Sequence, residues 1–105
     1  MKPLLVIALF LPFAQIAGAA DITLTIHEHR FEPTEITIPA GQKVKIILIN
    51  KDSTAEEFEI YDLNREKVVA GNGTSSIYIG PLKPGRYPFM GEFHEDTAQG
   101  VIIAQ

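Results

Sequence analysis

What most constrains this chain is its punctuation: wherever apolar and polar residues alternate, the alternation stops within about eight residues at a proline, a glycine or a short polar run. Ile22, Leu24 and Ile26 alternate with Thr23, Thr25 and His27, and Phe31-Glu32-Pro33 then interrupts pairing, because proline cannot donate to a ladder. Ile36 and Ile38 mark a second short strand that ends at Pro39-Ala40-Gly41-Gln42, where Gly41 supplies a positive φ. Lys43 to Asn50 begins with alternation and becomes continuously apolar, the pattern of a central strand buried on both faces at its far end. Runs this short leave no room for helices of ordinary length.

The remainder follows the same rule. Glu57 to Tyr61 places Phe58 and Ile60 on one face, with Glu57, Glu59 and Tyr61 on the other. Asp62 to Ala70 fits a helical turn or, through Val68-Val69, a strand. Ser75 to Ile79, Arg86 to Phe93 and Val101 to Ala104 complete the set, with Tyr87, Phe89, Gly91 and Phe93 sharing one side of their strand and Met90 serving as core or edge packing. About seven short strands with a turn signal roughly every ten residues predict an all-β sandwich or barrel.

The first residues read differently. Met1-Lys2, the apolar run Leu4 to Phe13 and Ala17-Gly18-Ala19 predict a secretory signal peptide over 1–19, leaving one domain over 20–105. The expected location is the periplasm, with no membrane span once the signal is removed. A formal net charge of −4 argues against nucleic acid, which requires a basic patch. The chain has no cysteine, which excludes disulfides, thiolate zinc, cysteine-held iron–sulfur clusters and a cysteine nucleophile.

No nucleophile elbow, H-E-x-x-H or phosphate-cradling glycine loop is present, so no catalytic residue is assigned. The chemistry left is that of carboxylates and three histidines, all ligands for metals. In an extended strand Glu57 and Glu59 lie on one face about 7 Å apart, close enough to favour a nearby cation or to serve only as an acidic strand edge. Glu92, His94 and Asp96 form a second group, and His27 and His29 share a strand face if the extended conformation persists.

Together these segments resemble the cupredoxin superfamily, and more closely its EfeO-type cupredoxin-like branch. The resemblance runs through Phe31-Glu32-Pro33, Pro39-Ala40-Gly41, Val44 to Asn50, Phe58-Glu59-Ile60, Gly80 to Phe89, Phe93-His94 and Gly100-Val101-Ile102. It implies a cupredoxin-like Greek-key β-sandwich. Against the blue-copper pattern of two histidines, a cysteine and a weak axial ligand, the first histidine falls on Glu56, the cysteine on Gly91 and the axial ligand near Thr97 or Ala98. Only His94 matches.

The EfeO-type branch implies a stand-alone periplasmic protein of bacterial iron uptake that binds an iron or copper ion through carboxylate and imidazole. Its implied partners are the metal ion, other periplasmic iron-uptake proteins and an iron permease. The expected metal ligands are Glu57, Glu59, Glu92 and His94, followed by His27, His29 and Asp96. Two other readings stay open: a component of ferrous-iron oxidation, and a metal-free protein-interaction module.

Overall fold

The computed structural model describes residues 21–105, so the signal peptide expected over 1–19 lies outside the described residues. Nine strands follow in chain order: β1 (Asp21–His27), β2 (Arg30–Glu32), β3 (Glu35–Ile38), β4 (Val44–Asn50), β5 (Glu56–Ile60), β6 (Arg65–Val69), β7 (Thr74–Ile79), β8 (Gly85–Gly91) and β9 (Gln99–Ala104). Two single 3₁₀ turns, Tyr61–Leu63 and Glu92–His94, are the helical pieces among the described residues. The strands form a four-stranded sheet, β2-β1-β4-β7, and a five-stranded sheet, β3-β9-β8-β5-β6. Two neighbour pairs are parallel, β1 with β4 and β3 with β9, so the chain crosses between sheets. The expected all-β sandwich is what forms.

The core lies where the alternation placed it. Leu24 and Ile26 from β1 and Val44, Ile46 and Leu48 from β4 face Ile36, Ile38, Phe58, Ile60, Phe89 and Ile102 from the other sheet. Phe31 packs edge-on against Phe58 and Phe89, with ring centroids 5.9 and 5.1 Å apart, an arrangement favoured by the ring quadrupoles. Gly41 has φ 77°, as its turn requires.

Several local expectations are corrected. Arg30–Glu32 does pair, with β1 from His27↔Arg30 to Thr25↔Glu32, because the ladder stops one residue before Pro33 at the sheet's edge. Asp62 to Ala70 is neither alternative alone: a 3₁₀ turn closes at left-handed Asn64, and β6 then runs antiparallel to β5. β4 is central, but Ile47 and Ile49 are only half-buried, so its far end is covered on one face. Phe93 leaves the inward row of Phe89 and Gly91 because the 3₁₀ turn over 92–94 rotates it outward, where it is exposed. That same rotation matters for its neighbour, His94.

Candidate metal centre

The alternation that turns Glu57 and Glu59 out of β5 turns Glu56 inward with Phe58 and Ile60. Glu56 is only 1% exposed, and an isolated carboxylate there would be costly. Both of its oxygens find partners instead. Oε1 accepts the backbone N–H groups of Glu57 and Phe93, both at 3.1 Å, and Oε2 lies 2.5 Å from Nδ1 of His94. Gly91 makes room for this carboxylate. A Cβ on residue 91 would sit 2.7 Å from Glu56 Cδ and Oε1, and 2.7 Å from the Ala98 methyl.

His94 reaches Glu56 because Gly91 N–H donates to Ala98 O and Ala98 N–H donates to His94 O, both at 2.8 Å, closing the 92–98 segment over the end of the sandwich. Its ring stacks on His29, with centroids 3.6 Å apart and planes 14° from parallel. His29 comes from the two-residue turn between β1 and β2. One ligand atom each from His29, Glu56 and His94 lie within 4.8 Å of one another. An open cleft of about 530 Å³, lined by both histidines and by Glu92, Phe93, Glu95, Asp96 and Thr97, leads to them.

On the opposite side of β5, Glu57, Glu66 and Glu92 bring three carboxylates within the same 4.8 Å. Sharing hydrogen bonds with Glu92 and Glu66, together with burial and their negative charge, pushes the Glu57 carboxyl up to about 8. Burial, then the charges of Glu92, Glu66 and Glu95, raise Glu59, which stands directly across from Glu66. A carboxyl whose folded value lies above its unfolded one binds more protons when folded, so stability is greatest below the unfolded value and is lost as pH rises toward the folded one. The melting temperature is therefore expected to fall between about pH 4.5 and 8. Glu57→Gln, which mimics the protonated form, should flatten most of that decline in thermal melts at several pH values. An equal decline in the variant would assign it to other groups.

The Cupredoxin-like domain model matches residues 2–104. The chain belongs to the cupredoxin-like domain family. It is 46% identical over 83 residues to uncharacterized protein RP394 of Rickettsia prowazekii (strain Madrid E), covering 79% of this chain and 66% of that protein, just under two thirds of its length. Auracyanin A, a "blue" copper protein of Chloroflexus aurantiacus, superposes with a TM-score of 0.72 at 20% identity over 84% of this chain and 100% of its own. The metal-binding domain of the Cu(I)-exporting ATPase CopA of Streptococcus pneumoniae D39 superposes at 0.72 with 14% identity, over 85% of this chain and 88% of that one. At such identities the likeness is one of fold.

In this cupredoxin-like domain the residues do not fit a blue-copper group, since no cysteine is present and the space at Gly91 is taken by the Glu56 carboxylate. They do fit an ion that accepts two imidazoles and a carboxylate. The residues expected as ligands from the sequence are divided among different places. His29 and His94 come together, with Glu56 as the third member. Glu57 and Glu92 belong to the outer carboxylate group, whereas Glu59 lines a separate 260 Å³ hollow with Tyr61, Pro88 and Met90. Asp96 lines the cleft over the histidines, and His27, at the exposed end of β1, joins neither group because the strand ends there and the turn carries His29 away. Glu56 is not among the ligands expected from the sequence, although its parity with Phe58 and Ile60 marks it as inward-facing.

Proposed function

We propose that this cupredoxin is a periplasmic accessory protein of bacterial iron acquisition that binds an iron or copper ion through His29, Glu56 and His94. The observation carrying this reading is the convergence of two imidazoles on a buried carboxylate at an open end of the sandwich. Oxygen and imidazole donors suit iron and copper without a thiolate. Structural neighbours described as a "blue" copper protein and as a metal-binding domain with Cu(I) support a metal-binding reading of this fold. Export rests on the signal-peptide pattern over 1–19. In this reading the partners are periplasmic iron-uptake proteins and an iron permease.

Within the site, Glu56 supplies charge neutralisation from a dry position, while His29 and His94 face the cleft through which an ion and its waters enter. Iron or copper held there supplies a centre able to change valence. The acidic cleft residues Glu92, Glu95 and Asp96 raise the local concentration of cations.

A thermal-shift titration of the exported domain with iron and copper salts tests the proposal. An ion bound only by the folded state at one hundred times its Kd adds about 2.7 kcal/mol, which for a domain this small raises Tm by roughly 10 °C or more. His29→Ala with His94→Ala should abolish that rise and Glu57→Gln should leave it. No rise with either metal refutes the site and favours the metal-free module, whereas a rise untouched by the histidine pair refutes the site and assigns the ion to other residues.

A further inference from the structure

The His29 turn is unusual. Glu28 and His29 both adopt left-handed backbone, with φ 52° and 57°. A two-residue hairpin of this type ordinarily uses Asn-Gly or a similar pair, because ordinary side chains lose roughly 1–2 kcal/mol each in that conformation. Something else in the molecule must hold the turn.

We propose that Asp52 is a positioning residue for the metal centre, fixing the Glu28–His29 turn so that the His29 ring lies against His94. Its Oδ1 accepts the Glu28 N–H at 2.8 Å and its Oδ2 accepts the His29 N–H at 2.9 Å. The same Oδ2 lies 3.5 Å from Nδ1 of His29, within ion-pair range and long for a hydrogen bond. With Nδ1 turned toward Asp52, Nε2 is the nitrogen left to a metal, the arrangement in which a carboxylate orients a ligating imidazole. Thus one side chain both sets the backbone that carries His29 and selects the face its ring presents.

Asp52 is itself held from behind. Asn50, which is buried, accepts the Asp52 N–H at 3.0 Å through Oδ1 and donates through Nδ2 to Thr54 O at 2.8 Å. Asp52 O accepts the Asn72 N–H at 2.7 Å. From the other side, Thr97 in the segment that bears His94 donates its hydroxyl to His29 O at 2.6 Å. The turn is clipped between the loops flanking the two other members of the site, and Asp52 is the only one of these contacts that carries charge.

This inference rests on the metal reading for its functional half and on the metal-free geometry for the rest, so the test has two arms. In metal-free protein, NMR contacts between the His29 and His94 rings should be present, and Asp52→Ala should remove them while the core resonances stay in place. For binding, copper and iron affinities are measured by calorimetry for Asp52→Ala, His29→Ala and the double variant. Asp52→Ala should weaken binding 10–100-fold, the range typical of residues that orient a metal ligand. In the His29→Ala background it should add no more than about twofold, because its effect acts through His29. Asp52→Asn, which keeps one acceptor, should fall between and serves if the alanine variant does not fold. Unchanged ring contacts overturn the proposal even if the wild type binds no metal. So does a full additional loss in the His29→Ala background.

Discussion

Glu56→Ala is expected to cost the fold about 3 kcal/mol and to abolish metal binding in the same stroke. Removing one member of a buried, hydrogen-bonded pair typically costs 3–5 kcal/mol, because the other is left without a partner. Here the low end applies. His94 is partly open to the cleft and can recover water, but the N–H groups of Glu57 and Phe93 lose their shared acceptor inside the protein. Against a total stability of 5–15 kcal/mol such a loss is easily seen in urea melts. Glu56→Gln separates the two roles: its amide oxygen can still accept both N–H groups, so stability should be mostly kept while the anionic ligand is gone. An alanine variant as stable as wild type would show that the carboxylate is not structurally coupled to its neighbours.

That coupling explains which parts of the site could be read from the sequence. Period-two alternation is a local property, and it located Leu24, Ile26, Ile36, Ile38, Phe58 and Ile60 correctly in the core. Where an element depends on its neighbour instead, the pattern misplaces it or leaves two readings open. β6 exposes Arg65 to Val68 and exists because β5 pairs with it, and β2 is three residues that extend β1 at an edge. The site was legible to the same degree. His94 was visible among acids next to an aromatic strand. His29 was visible too, but an extended reading paired it with His27, since nothing local predicts two left-handed residues at Glu28-His29. Glu56 carried the right parity, yet an inward carboxylate makes sense only once His94, 38 residues away, supplies its partner. Asp52 was one polar residue in a polar loop, and its meaning lies entirely in two N–H groups from a different turn.

Introducing a thiolate at position 91 is the sharpest test of how this cupredoxin-like domain differs from a blue-copper protein. Gly91→Cys alone should give a destabilised domain without strong copper colour. The new Cβ would press on the Glu56 carboxylate and the Ala98 methyl, overpacking that typically costs 1–3 kcal/mol, and a thiolate beside a buried carboxylate is disfavoured by like charge. Glu56→His with Gly91→Cys removes that repulsion and offers two imidazoles and a thiolate, the donor set of blue-copper sites, with His94 as the second imidazole. The double variant with Cu(II) should therefore develop an intense visible absorption that neither single variant shows. Equal colour in the Gly91→Cys variant would mean that Glu56 does not govern the position. Colour in neither, in a protein that still folds, would mean that His94 and residue 91 are not disposed as a copper pair. The carboxylate and the glycine form one substitution in physical terms: Glu56 fills the volume that Gly91 vacates, and changing either alone leaves the other misplaced.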